Sequence, residues 1–216
     1  MTAALNTSFE QPAFGVVDDG RLVAWACAPR WPADLTELVV GVLSEAGHRA
    51  DAEIGGIGVA TGPGRFGAVR GGIAFAKGLA LARGAPLVGV PTAAAVAEAA
   101  GDTDASIVLP AGRGRWYVTT RDWDGEIGLV DADQLAGAAP AEAPVAGPMD
   151  MDMARALEDD GLRVLRVDDE AVLGALVRLA ERRLTEGRGP ASLGAQPVYA
   201  APATRARPWV RGMPHG

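Results

Sequence analysis

At 216 residues and 49% hydrophobic content, the chain is long enough to bury a core as one large domain or two small ones. A net charge of −7 argues against a free-standing nucleic-acid binder, which needs a concentrated basic surface to neutralise phosphates. A single cysteine, Cys27, excludes an internal disulfide, and with no run of about 18 uncharged apolar residues and no basic flank on Met1-Thr2-Ala3-Ala4-Leu5-Asn6 the expectation is a soluble, cytoplasmic protein.

The first half predicts a strand over 3–6 and a hairpin with strands at 13–17 and 21–27 around Asp18-Asp19-Gly20, whose Asp-Gly step supplies the positive φ that such turns need. Cys27, at the end of that hairpin, reads as an inert buried thiol rather than a nucleophile. A helix follows from about Asp34, with Asp34 and Glu37 as a capping pair and Gly47 as its stop. Leu35, Leu38, Val39, Val42, Leu43 and Ala46 fall on one helical stripe, with Val40 off it as spare apolar surface. His48 reads as a helix-end residue meeting the last carbonyls.

An apolar strand over 55–60 then runs into a glycine turn and a second helix. Gly62-Pro63-Gly64-Arg65-Phe66-Gly67 satisfies G-x-G-x-x-G in the context of a dinucleotide fingerprint. The rest of the fingerprint is missing, because the next strand, 86–90, ends on Pro91 and Thr92 instead of a carboxylate. A Walker loop fails too, since the only lysine, Lys77, lies deep in the helix. That helix, about 68–83, is nearly all small, through Gly71, Gly72, Ala74, Ala76, Gly78, Ala80 and Ala82, with Val69, Ile73, Phe75, Leu79 and Leu81 spread around its circumference. A helix apolar all round is expected to be buried on all sides, and glycines costing about 1 kcal/mol each are tolerable where another helix comes close. One lobe covers one face, so a partner is expected on the other.

The second half predicts a strand at 106–109, a hairpin with strands 115–122 and 126–130 around Asp124-Gly125, and shorter pieces that alternate helix, strand, helix, strand, helix at 131–135, 143–146, 151–160, 162–167 and 170–186. Residues 136–148, rich in Ala and Pro, read as a loop interrupted by a short strand. The two Asp-Gly turns mark equivalent points of a duplicated βββαβα unit, giving lobes 1–102 and 103–216 that meet near 101–105. Arg113, Arg115, Trp116, Tyr117, Arg121 and Trp123, and again Arg205, Arg207, Trp209 and Arg211, are mixtures able to stack on bases and pair with phosphates. On a strand, the same alternation fits one buried and one solvated face, and the cluster from Arg205 on fits a polar tail that meets a partner. The two histidines, His48 and His215, support neither a Ser/His/Asp arrangement nor a metal pair.

Gly62, Pro63, Gly64, Phe66, Val69, Arg70 and Gly72 match the G-P-G-S-F-T-G-[LV]-R-x-G signature of the TsaB (YeaZ) family, whose members take part in making threonylcarbamoyladenosine in tRNA. Arg65, Gly67, Ala68 and Gly71 depart from that signature, so the chain resembles a divergent member with a Gcp-like domain. The resemblance continues through Ala76-Lys77-Gly78-Leu79-Ala80 and Gly89-Val90-Pro91-Thr92, and weakly at Pro197-Val198-Tyr199. It implies a two-lobed α/β, actin-like ATPase (ribonuclease H-like) fold and the role of a noncatalytic scaffold. The implied partners are the catalytic subunit TsaD and the ATPase TsaE, or a second copy of the chain, with tRNA reached only indirectly and no membrane involved.

In that superfamily two acidic turns between the lobes grip ATP and magnesium. Here Asn6 and Pro110 stand where those aspartates are expected, and an amide supplies no charge to hold magnesium. Asn6 then reads as a turn former bonded to its own backbone. The paired histidines that hold metal in the catalytic relatives have no counterpart, and no catalytic, cofactor or metal residue is expected. By the same resemblance, the docking surface is expected at Leu35, Leu38, Val39 and Val42 of the first helix and Val69, Gly72, Ile73, Ala76, Leu79 and Ala80 of the second. An ATP-dependent kinase or transferase of the same superfamily, and a dinucleotide module on Gly62, Gly64 and Gly67, stand as alternatives. A glycoprotease label would be inherited, since no protease constellation can be assembled.

Overall fold

The computed structural model describes residues 1–102, 104–120, 127–139, 142–186 and 195–197. The chain opens with a meander of β1 (Thr2–Asn6), β2 (Ala13–Asp18) and β3 (Arg21–Cys27). Asp19 and Gly20 take φ of 47° and 74°, the left-handed pair that a tight Asp-Gly hairpin requires. Helix α1 (Leu35–Glu45) starts where Asp34 accepts from the N–H groups of Thr36 and Glu37 at 2.9 and 3.0 Å, as the capping pattern predicts. It stops at Gly47, φ 78°, and the backbone N–H of His48 donates to the Leu43 carbonyl at 2.8 Å. Strand β4 (Gly56–Ala60), helix α2 (Phe66–Arg83), strand β5 (Leu87–Val90) and helix α3 (Thr92–Ala100) complete the first half.

The second half repeats the plan with β6 (Ser106–Gly112), β7 (Arg115–Thr119) and β8 (Gly128–Asp131). Then come a 3-10 turn (Ala132–Gln134), α4 (Leu135–Ala138), β9 (Val145–Gly147), α5 (Met151–Asp159), β10 (Val164–Arg166) and α6 (Asp169–Thr185). The sheets run β3-β2-β1-β4-β5 and β8-β7-β6-β9-β10, one order used twice, which makes the fold the duplicated α/β, actin-like architecture expected from the sequence. Two details differ. The helix expected at 131–135 is a 3-10 turn leading into α4, and the strand expected at 115–122 is assigned only as far as Thr119. The turn Asp124-Gly125, with Arg121, Trp123, Val198, Tyr199, Arg205, Arg207, Trp209, Arg211 and His215, lies outside the described residues.

Alternation along the strands divides the core. Ala3, Leu5, Phe14, Val16, Ile57 and Val59 face α1 and α2, while Ala4, Val17, Ala60, Val88 and Val90 share a second cluster with α3 and α6. Helix α6 thus lies across the inner face of the first sheet, although it belongs by sequence to the second half. Gly58 makes this possible: a Cβ there would stand 2.9 Å from both Leu176 and Ala180. Reciprocally, α3 packs on β6 and β9 of the second sheet and against α6. The remaining face of the second sheet buries Val108, Val118, Val130 and Val145 with Leu135 and, from α5, Ala154 and Leu157.

The two exchanged helices are pinned by one carboxylate. Glu98 of α3 receives Arg178 at 3.3 Å and Arg182 at 2.8 Å, two arginines one turn apart on α6. Burial pushes the Glu98 carboxyl up, but the hydrogen bonds from Arg182 and Arg178 outweigh it and hold it below its ordinary 4.5. Both arginines are half exposed, so Glu98→Ala is expected to cost about 1 kcal/mol at pH 7. The folded carboxyl titrates below the unfolded one, so this contribution is present above pH 4.5 and is lost as pH falls through the lower folded value. Denaturant melts of the two proteins across that range should therefore converge in acid.

Candidate functional site

The glycine turn after β4 answers to protein neighbours. Gly62, φ 95°, donates its N–H to Thr92 Oγ1 at 3.0 Å, and Thr92 returns its own N–H to the Gly62 carbonyl at 2.8 Å. Ser8 and Thr92 share a hydroxyl contact of 2.8 Å, and a Cβ on Gly64 would meet the Ser8 backbone at 2.7 Å. Thr7 Oγ1 donates to the Ala68 carbonyl at 2.8 Å, and a Cβ on Gly72 would collide with that threonine. Gly62, Pro63 and Gly64 are buried, while Gly67 has open space beside it and Phe66 and Arg70 are exposed, the guanidinium 5.2 Å from the ring centroid. Gly62 and Gly64 are explained by the packing of residues 6–8 on the start of α2 and α3, with no dinucleotide needed.

Asn6 behaves as the sequence suggests: its Oδ1 accepts the Ser8 N–H at 3.0 Å, a turn closed on its own backbone. Its Nδ2 is buried without a partner among the described residues. Neither this amide nor Pro110, inside β6, offers the carboxylate that a magnesium nucleotide requires, so the residues present do not fit that group. Among the described residues no group of three or more His, Cys, Asp or Glu could hold a metal ion, and no helix is long and apolar enough to cross a membrane.

The expected docking residues mostly face inward. Leu35, Val39 and Val42 of α1, and Val69, Gly72, Ile73, Ala76 and Ala80 of α2, are buried in the cluster between these helices and the first sheet; Leu38 and Leu79 are half-buried. The sequence expectation put the sheet on one face of α2 and a partner on the other, and in the single chain the named docking residues lie mostly on the sheet side. The outer face of α2 instead carries Phe66, Arg70, Ala74, Gly78 and Leu81, at intervals of three to four residues, and α1 adds Val40 and Gly41. Phe66 is 50% exposed, Leu81 64% and Val40 41%. Among the described residues, no atom other than those of the chain neighbours and the helix's own backbone lies within 4 Å of a Cβ placed on Gly41, Gly67 or Gly78. Sequence reasoning expected a second face on α2 and spare apolar surface at Val40, but not that Phe66, Ala74, Gly78 and Leu81 mark that face, because this becomes visible only once the sheet has claimed the other side.

Cys27 faces Asp169 at the start of α6. Burial first, and the neighbouring carboxylate second, push the thiol up to about 12, in keeping with an inert group. Burial likewise raises Asp169 above its ordinary 3.8, although Cys27 opposes the shift, and its Oδ1 is buried without a hydrogen-bond partner among the described residues. A carboxyl raised in the folded state stabilises below its unfolded pKa and loses that contribution as pH rises through its folded value. Asp169→Asn is therefore expected to raise the melting temperature at pH 7 and to leave it unchanged below pH 3.8. The Cys27 thiol should resist alkylation at pH 8 until the chain is unfolded.

Residues 28–142 match the family model described as "TsaD: tRNA N6-adenosine threonylcarbamoyltransferase". The tRNA N6-adenosine threonylcarbamoyltransferase of Nitratidesulfovibrio vulgaris (strain DP4) is 34% identical over 126 residues, an alignment covering 50% of this chain and 34% of that protein. The chain thus spans about a third of the length of this curated relative. Among solved structures, YeaZ from Pseudomonas aeruginosa superposes with a TM-score of 0.64 at 25% identity, covering 92% of this chain and 100% of the other. A structure described as an uncharacterized protein with similarity to peptidase YEAZ, also from Pseudomonas aeruginosa, gives 0.66 at 23% identity over 93% and 100%. With the glycine turn, the doubled sheet order and the match over more than half its length, the chain belongs to the TsaD family of tRNA threonylcarbamoyltransferase domains, as a divergent member of its TsaB (YeaZ) branch.

Proposed function

We propose that this chain is a noncatalytic scaffold and activating subunit for N6-threonylcarbamoyladenosine synthesis on tRNA, docking a TsaD-type catalytic subunit on the outer face of α1 and α2, with a TsaE-type ATPase joining the assembly. The carrying observation is that face: Phe66, Ala74, Gly78 and Leu81 of α2 beside Val40 and Gly41 of α1, all exposed. Glycine inside an exposed helix costs about 1 kcal/mol relative to alanine. Gly41, Gly67 and Gly78 bring no return among the described residues, since no side chain of these approaches them. Close approach by a partner helix supplies one. A charge of −7 fits a subunit that leaves the tRNA backbone to its partner. The role is placed in the cytoplasm, where tRNA is modified.

Two alanines separate core from interface. Ala76 is fully buried against the sheet, so Ala76→Glu is expected to cost several kcal/mol and unfold the chain. Ala74 is exposed, and Ala74→Glu should leave the melting temperature within about 2 °C while abolishing co-purification with TsaD from the same source and the gain in tRNA modification that this chain gives. Gly78→Ala is expected to stabilise the isolated chain by about 1 kcal/mol and to weaken the complex. A folded Ala74→Glu protein that still binds and stimulates TsaD would overturn the placement of the interface.

A further inference from the structure

The hairpin of β2 and β3 and the first half of α6 enclose a cavity of about 330 Å³. Val17, in its wall, pairs with Thr2 at the beginning of β1, the opposite end from Asn6, and the cavity lies on the sheet face that α6 covers, away from α1 and α2. Val17 and Leu22, partners across the hairpin, form one wall, and Ala171 and Val177 of α6 form the other. Glu170, Gly174 and Arg178 pass along it at intervals of four residues, one line on the helix. Gly174 stands inside a 17-residue helix, where glycine is less stable than alanine. Outside its chain neighbours and the helix's own backbone, the one described atom within 4 Å of a Cβ placed there is Nη1 of Arg178, at 3.3 Å. No packed neighbour demands a glycine, and its missing side chain leaves room between helix and hairpin.

The two ends of this room are oppositely charged. Arg178 gives its Nε to Glu98 at 3.3 Å, while Glu98 takes its shorter bond from Arg182 at 2.8 Å. Nη1 and Nη2 of Arg178 have no hydrogen-bond partner among the described residues, and Nη1 lies over Gly174 with protons to give. Glu170, four residues earlier, is exposed and belongs to no ion pair among the described residues. Four residues of helix put about 6 Å along the axis between Gly174, where the guanidinium stands, and Glu170. A simple anion is held at one end and repelled at the other, and a purely apolar molecule leaves both charges unanswered. A carboxylate and an ammonium joined by a short aliphatic chain answer both, with the methylenes laid on Val17, Leu22 and Ala171. An ordinary α-amino acid carries both charges on one carbon, too close together to span the two ends.

We propose that this cavity binds an ω-amino carboxylate, a zwitterion with its charges at the two ends of an aliphatic chain, either free or as the C-terminal lysine of a peptide. Its carboxylate meets Arg178 and its ammonium meets Glu170. The test uses the full chain with ε-aminocaproate as the probe, followed by calorimetry and by the melting temperature. A Kd below about 1 mM is expected, with hexanoate, hexylamine and glycine each at least tenfold weaker. Glu170→Gln changes an exposed side chain, and it is expected to weaken binding of the probe at least tenfold while leaving the melting temperature of the unliganded chain within about 2 °C. Gly174→Leu fills the room and is expected to abolish binding; Gly174→Ser replaces it if the leucine variant does not fold. An acetylated tripeptide ending in lysine is the second probe: tighter binding than ε-aminocaproate assigns a peptide C-terminus as the ligand, and equal or weaker binding assigns a free ω-amino acid. A Kd above about 1 mM for ε-aminocaproate, hexanoate binding within tenfold of it, or unchanged binding in the Glu170 and Gly174 variants would each overturn the proposal.

Discussion

Helix α6 can seat on the inner face of the first sheet because Gly56 and Gly58 put no side chain between them. A Cβ on Gly56 would stand 2.7 Å from Leu184, and one on Gly58 2.9 Å from Leu176 and Ala180. Close seating lets Leu173, Leu176, Val177 and Ala180 reach Ala4, Ala60 and Val88, a contact that apolar burial rewards at about 25 cal/mol per Å² removed from water. Once α6 is there, α3 has no room on its own sheet's inner face and turns to the second sheet. The exchange, and the Glu98 link that pins it, follow from two missing side chains.

That arrangement also decides what the outer face is for. The first sheet is covered inside by α6 and outside by α1 and α2, whose Leu35, Val39, Val42, Ile73 and Ala76 complete its core. The other sides of α1 and α2 meet no further layer among the described residues. They keep small residues and isolated large apolar ones, a combination that costs helix stability in the free protein and suits close packing with another helix. The buried polar layer of Thr7, Ser8, Thr92 and the glycine turn, at the other end of the strands, holds α2 at its start and fixes which side it presents.

Much of this was legible in the sequence. The Asp18-Asp19-Gly20 turn, the Asp34 cap and the Gly47 stop each need a specific backbone conformation or hydrogen bond that few residue types supply, and each stands where expected. The orientation of α2 was not legible. Alanine and glycine have little apolar contrast, so the 3.6-residue period leaves no clear stripe, and Gly72 and Gly78 look alike on paper. One fits against Thr7; the other faces open space. Arg65 was visible only as a departure from a signature. Its place between the lobes depends on Gly112, 47 positions further along the chain, and no local pattern encodes so distant a contact.

The exchange of α3 and α6 has a consequence for synthesis on the ribosome. The five strands of the first sheet are complete by Val90, yet the helix that covers their inner face ends at Thr185. At the usual pace of about 5–20 residues per second, the nascent sheet waits on the order of ten seconds with Ala4, Val17, Ala60 and Val88 uncovered. During that interval, it is a natural client for a chaperone or for the ribosome surface itself. The first half has its strands and its outer core early, and the cover of its inner face late.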